Sequence, residues 1–295
     1  MADAKISSLT NHGTPVAADY VASVLASGPS SRKLLLSDVR NFTSLKTSAA
    51  SVTTADVTGV VNELAYLDLS GLTAARNFTL PAVAAADDRV GVYVSAGCTT
   101  AGRELILKAN TGDTLNGVSA AEWSRLFITG ECVIMRCVVA NTTWVVDYDG
   151  RIETVTIISG ATGTDQTAVT RNSYQKMTTV LSTVTVDTSS AWSTGTKTFT
   201  ARRTANMDVF ASNVVATMQA ASELLIRVYK NGSQAASGAS AYWAVAGYMG
   251  NNGSGLIDVV SGSTLEAYCY YADTGTDRDF YGSPSATKFI LVEKL

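Results

Sequence analysis

The sequence predicts an all-β fold: a small antiparallel β module, then a second β domain, behind a short irregular or helical N-terminal segment. Three observations predict it. Only 16% of the 295 residues are charged, against roughly 25% in an average soluble domain; Ser, Thr, Ala, Gly and Val take their place and favour strands and tight turns. From Leu67 to the end, apolar residues recur in short strand-like runs, many with the period of two that half-buried strands require. Between them stand Asn116-Gly117, Asp149-Gly150 and Asn231-Gly232, pairs that tolerate the positive φ of hairpin turns. The length suits two small β domains plus a further segment better than one sandwich.

The N-terminal segment, 1–41, holds short apolar clusters broken by Gly13, Pro15, Gly28 and Pro29. Tyr20, Val21, Val24 and Leu25 have helical spacing, and Leu34, Leu35 and Leu36 precede Ser37-Asp38, a helix-cap pair. Too short to bury a core, this piece needs a partner surface. Residues 42–66 are Ser/Thr/Ala-rich and read as a linker or thin stalk. The β module follows at 67–151, and the soft run Ser159-Gly160-Ala161-Thr162-Gly163-Thr164 marks 152–175 as a connector. The second β domain spans 176–295. In it Leu265, Ala267, Cys269 and Tyr271 alternate with Glu266, Tyr268 and Tyr270. The closing run Lys288 to Glu293 is apolar enough for a strand buried on both faces.

Several function classes are excluded. A net charge of -3 with scattered basic residues, Arg202-Arg203 the densest pair, gives no concentrated basic face for nucleic acid. No apolar stretch approaches the roughly 18 residues of a membrane-spanning helix. The start, Met1-Ala2-Asp3-Ala4-Lys5, reads as lacking a signal peptide, so folding in a cytoplasm with thiols reduced is expected for Cys98, Cys132, Cys137 and Cys269. With one histidine, His12, no CxxC and no phosphate-binding loop, the sequence predicts no catalytic residue, no metal site and no cofactor. Carboxylate groups at Asp87/Asp88, Asp147/Asp149 and Asp273/Asp277/Asp279 have the chemistry of a glycosidase pair or a hard-cation site. Each lies beside turn residues, where Asp commonly bonds its own backbone.

The remaining chemistry is aromatic. Tyr242, Trp243, Tyr248 and Tyr281 are candidates for a receptor surface, with Tyr248 on a predicted loop; rigid amphipathic rings bind with little entropy loss. Tyr268, Tyr270, Phe289 and Leu291 are expected in the core or at a subunit interface.

Three stretches carry a resemblance. The run Lys197 to Thr204, the hairpin Arg227-Val228-Tyr229-Lys230-Asn231-Gly232, the turn Val259 to Leu265, and Phe280-Tyr281-Gly282 with Thr287 to Val292 follow one another. They resemble, in that order, the C1q-like branch of the C1q/tumour-necrosis-factor jelly rolls, without that family's usual Gly-Tyr pair and with Ser263 for its Asp. Leu80-Pro81, Asp88-Arg89-Val90, Leu115-Asn116-Gly117, Asn141 to Val146 and Asp149-Gly150-Arg151 are similar to a small β module of phage tail and head fibres. Lys5 to Thr10 and Arg32 to Asp38 look like the virion-anchoring start of such fibres, with Ile6, Leu9, Val21, Leu34, Leu35 and Leu36 as the anchoring residues.

The resemblance implies a C-terminal jelly roll packed as a homotrimer and a virion protein assembled in the host bacterial cytoplasm. Its N-terminus would bind capsid or tail proteins, and its knob would bind a host-surface glycan or protein. It implies no catalytic residues. A glycan depolymerase using a carboxylate pair and a purely structural capsid decoration protein are the alternative readings.

Overall fold

The computed structural model describes residues 45–48, 51–52, 54–218, 222–237, 241–243, 247–273 and 277–295, with the backbone of 20–22 and 33–35. No helix occurs among them. Tyr20–Ala22, expected as part of a helical turn, is instead a strand paired antiparallel with Lys33–Leu35. These hold the backbone of Val21, Leu34 and Leu35; Ile6, Leu9, Leu36 and His12 lie outside the described residues.

In the N-terminal module the chain passes back and forth between two sheets. Val57–Thr58, Arg76–Thr79 and Leu105–Lys108 run parallel in one, closed by the antiparallel Glu122–Leu126. Glu63–Asp68 and Arg89–Ala96 run parallel in the other, which Cys132–Val139 and Thr143–Gly150 extend antiparallel. Each crossing wraps the chain around a core of Leu67, Phe78, Val92, Leu107, Met135 and Trp144. The module is therefore mixed, and the antiparallel pairing expected throughout holds only in its second half. Side-chain alternation has period two in either pairing, so it could not distinguish them. Lys46–Thr47, Val57–Thr58 and Glu63–Asp68 all belong to these sheets, so this part of the expected linker is built into the module. Asn116-Gly117 makes the predicted turn, at φ 48° and 81°, whereas Asp149-Gly150 lies inside a strand.

The second domain is a jelly-roll sandwich by its own strand order. One sheet runs Gln166–Val169, Arg278–Tyr281, Ala205–Met218, Lys288–Lys294, Val155–Ser159 and Thr183–Asp187, with Gly247–Val259 also paired to Ala205–Met218. The other runs Trp192–Ser193, Thr198–Thr200, Thr264–Ala272, Ser222–Lys230 and Ser233–Ser237, with Gln175–Lys176 and Ala241–Trp243 paired at its sides. The last strand, Lys288–Lys294, lies between Val155–Ser159 and Ala205–Met218, so it is stitched into the middle of a sheet. Val155–Ser159 and Gln166–Val169 are strands of that sheet. The expected connector is thus part of the sandwich, and only its Gly-rich run is a loop. Val155 to Ile158 is strand-like by sequence, but the soft run after it made it read as part of a connector; its backbone pairs along its length with Phe289 to Val292.

Alternation along Lys288–Lys294 seals Phe289, Leu291 and Glu293 and leaves Ile290 and Val292 half-buried, so this strand is not buried on both faces. Phe289 meets Trp192 edge-on at 5.9 Å within a core that includes Ile226, Leu265 and Tyr271.

The two apolar cores are separate clusters, joined by a buried ionic seam. Arg202 donates to Glu104, to the carbonyls of Cys98, Thr100 and Ser189, and to Cys98 Sγ. Arg203 donates to Glu131, to both oxygens of Glu293, and to the carbonyls of Arg125 and Ile152. Both guanidiniums also lie on the Phe127 ring, at 4.2 and 4.8 Å. Removing one partner of a buried pair leaves the other charge unanswered, at about 3–5 kcal/mol. Arg203→Met is expected to lower unfolding stability by that order and to loosen both domains, measured by urea denaturation with hydrogen exchange. Loss confined to the jelly roll, residues 155–295, would mean that the seam does not couple them.

Candidate functional surface

The carboxylates singled out from the sequence are all engaged in structural bonds. Asp87 and Asp147 pair with Arg136, and Asp147 also with Arg89. Asp88 accepts from the amide of Ala85. Asp149 is bridged by Arg151, whose guanidinium lies over Trp123 at 4.5 Å. Burial pushes the Asp149 carboxyl up, but the bonds from Arg151 outweigh it and hold it below its ordinary value. Asp273 pairs with Arg278, Asp277 accepts from the amide of Arg171, and Asp279 from that of Ala168. These last bonds fasten the edge strand Gln166–Val169. No group of three metal-ligating side chains occurs among the described residues. The cysteines are free thiols, and burial raises Cys132 to about 11. A cleft of about 340 Å³ lined by Arg151, Lys230, Asp258 and Lys294 has its cations occupied, by Asp149, the carbonyl of Asp258 and Glu153.

Two sheet faces remain. On the outward face of the first sheet the register aligns Ser254, Phe210, Ile290, Ile157 and Val186 in one row. The next row holds Leu256, Asp208, Val292 and Val155. Phe210, Ile290, Ile157, Val292 and Val155 are half-buried in the single chain, and Leu256 is 64% exposed. Asn206, Lys288 and Lys294 stand above and below. Tyr248 and Tyr281 adjoin the face, edge-on at 5.9 Å. Tyr248, expected on a loop, is instead on the strand Gly247–Val259. The Gly-rich run there reads as a turn but supplies space: a Cβ on Gly250 would sit 3.2 Å from Val214, and one on Gly255 3.0 Å from Ala236. The backbone of Tyr242 and Trp243 lies in the strand Ala241–Trp243, which pairs in the opposite sheet.

On the outward face of the second sheet stand Tyr229, Tyr268 and Tyr270, joined by Tyr174. Phe289 and Leu291 lie in the core; Tyr268 and Tyr270, for which core or subunit interface was expected, are half-buried on this outward face, and the inward residues of their strand are Ala267, Cys269 and Tyr271. Tyr229 and Tyr268 are 4.2 Å apart, Tyr174 and Tyr270 5.0 Å, and Arg227 lies over Tyr174 at 4.0 Å. At the rim Glu266 accepts from Lys176, Thr198 and Tyr268. Sequence reasoning missed this grouping because its members come from three strands' worth of chain. Its one sequence signal is the alternation Glu266, Tyr268, Tyr270.

No family model matches the chain, and neither does any curated protein. Among solved structures the chain is similar to Eiger, a tumour-necrosis-factor protein of S. frugiperda, at 11% identity and TM-score 0.37, over 49% of this chain and 94% of that one. It is similar to murine APRIL at 7% identity and TM-score 0.35, over 48% and 100%. The globular domain of zebrafish complement 1qA gives 11% identity and TM-score 0.35, over 49% and 98%.

Burial raises the Glu266 carboxyl, but its bonds from Lys176 and Thr198 outweigh burial and hold it below its ordinary 4.5. A depressed carboxylate contributes stability above its unfolded pKa and loses it as pH falls through the folded one. The Tm difference between wild type and Lys176→Met should therefore be present above pH 4.5 and shrink below it. A difference that grows on acidification would contradict this reading.

Proposed function

We propose that this chain is the protomer of a homotrimeric phage virion fibre or spike, with the N-terminal segment bound to capsid or tail proteins and the jelly roll displayed as a host-attachment knob. The observation that carries the trimer is the apolar row Phe210, Ile290 and Ile157 at the centre of a regular sheet face. Its neighbours Val292, Val155 and Leu256 widen it into a patch with polar ends. Contiguous apolar faces of this kind on a folded domain mark association surfaces, and closed symmetry is the ordinary outcome for identical copies.

The fibre assignment is supported by the motif order described above, whose residues are the framework of the module. Trp144 is fully buried and Leu80 nearly so. Asn141 and Asn116 adopt positive φ and accept from the amides of Ala84 and Val146. These are scaffold roles. The engaged carboxylates support attachment over hydrolysis, because a general acid and base need side chains free to exchange protons with substrate.

Light scattering on the purified chain should return three times the 30.8 kDa of one protomer. Ile290→Lys, which puts a charge into the apolar row, should return the monomer mass with the β-sheet circular dichroism retained. A wild-type monomer would overturn the trimer. Deleting residues 1–41 should leave the trimer intact and abolish incorporation into particles; normal incorporation would overturn the anchoring role.

A further inference from the structure

We infer that the outward face of the second sheet is a carbohydrate-binding platform built from Tyr174, Arg227, Tyr229, Tyr268 and Tyr270. This rests on the attachment reading above and assigns the knob a ligand class and a site. The register places Arg227 opposite Tyr268, Leu225 opposite Tyr270, and Tyr229 opposite Glu266. Tyr174 lies across them, 6.3 Å from Tyr229 and 5.0 Å from Tyr270. The four rings are partly exposed rather than sealed and form a continuous apolar floor. Flat rings of this kind accept the C–H face of a pyranose at little entropic cost, because a tyrosine has few rotamers to lose.

The polar groups on the floor select the ligand. The Arg227 side chain makes no hydrogen bond or ion pair among the described residues, and its Nε is buried without a partner. The terminal N–H groups of the same guanidinium, which lies on the Tyr174 ring, are not sealed in this way and make no bond among the described residues, so they are open to a ligand acceptor, and a bond from a charged donor is stronger than one from a neutral group. Glu223 stands on the same face, four residues along the strand and so about 13 Å away, and none of the described residues bonds its carboxylate. The platform thus offers a donor at one point and an acceptor at another, over aromatic rings. Sugar hydroxyls donate and accept, and an oligosaccharide can satisfy both at once. A proline-rich peptide also favours aromatic grooves, but its backbone presents only carbonyl acceptors and leaves Glu223 unanswered. Arg227 and Lys176 against Glu223 and Glu266 leave no net charge across the patch, which fits a neutral glycan.

The test is isothermal titration of the full chain with maltohexaose, cellohexaose and chitohexaose, and separately with decaproline. At least one hexasaccharide should bind. Arg227→Gln and Tyr268→Ala should each weaken it about tenfold, the scale of one charged hydrogen bond or its equivalent in stacking. Tyr268→Phe, which keeps the ring, should weaken it much less, and Tyr248→Ala on the other sheet should leave it unchanged. Light scattering on each variant establishes that the fold and assembly survive. The platform is refuted if no hexasaccharide binds, if binding ignores Arg227 and Tyr268, or if decaproline binds with the same dependence on them. Any of these with the trimer and particle incorporation intact removes the platform alone and leaves the fibre reading standing.

Discussion

The arrangement of the two domains depends on two adjacent arginines. A guanidinium carries five N–H donors and accepts nothing, so burying one in isolation is prohibitive. Arg202 and Arg203 are 4% and 1% exposed, and each has all five donors occupied. The acceptors are equally constrained. Glu131 also receives the amides of Phe127, Ile128 and Ile152, and Glu104 is shared with Arg125. With Arg125, three cations meet Glu104, Glu131 and Glu293, so the seam is close to neutral.

Such a seam does more for geometry than for net stability. Replacing a buried pair with well-packed apolar residues is often neutral or better, whereas mispairing it is expensive. An apolar interface would tolerate sliding between the domains; this one does not, because a small shift strands several charges together. Glu293 sits two residues after Leu291, on the strand that closes the jelly-roll core, and Glu131 adjoins Cys132–Val139 of the module. Each core is therefore tied to the seam through its own backbone, so one ionic cluster links two separate apolar clusters.

How much of this was legible in the sequence follows from which signals are local. The alternation in Thr264–Ala272, the Asn231-Gly232 turn at φ 50° and 78°, and the buried Phe289 and Leu291 are written in neighbouring residues. Parallel pairing in the module is not, because strand period is the same for either direction and partner choice lies in crossings between sheets. Arg202-Arg203 read as an unremarkable basic pair because their carboxylate acceptors are 72 to 98 residues away. The tyrosine platform was hidden for the same reason: Tyr174 precedes Tyr229, Tyr268 and Tyr270 by more than fifty positions. The carboxylates misled in the other direction, since Asp-rich turns advertise chemistry that Arg136, Arg151 and Arg278 have already neutralised.

The two faces of the jelly roll differ in chemistry for a reason that bears on the proposed assembly. On Ala205–Met218 and Lys288–Lys294 the outward positions are Phe210, Ile290 and Val292 among Asn206, Asp208, Ser212 and Lys288, a face that loses by staying wet at its centre. On Ser222–Lys230 and Thr264–Ala272 the outward positions are Arg227, Tyr229, Glu266, Tyr268 and Tyr270, groups that combine ring area with polar tips and sit comfortably at a water boundary. If identical chains pack through the first face, the second is left on the perimeter, once per protomer. Three equivalent platforms would then face a surface together, and each need hold its ligand only weakly, because linked binding raises avidity without a new contact. The ionic seam matters again here: a knob free to swivel on its module would spread its platforms over many orientations, whereas a fixed one presents all three in the same geometry.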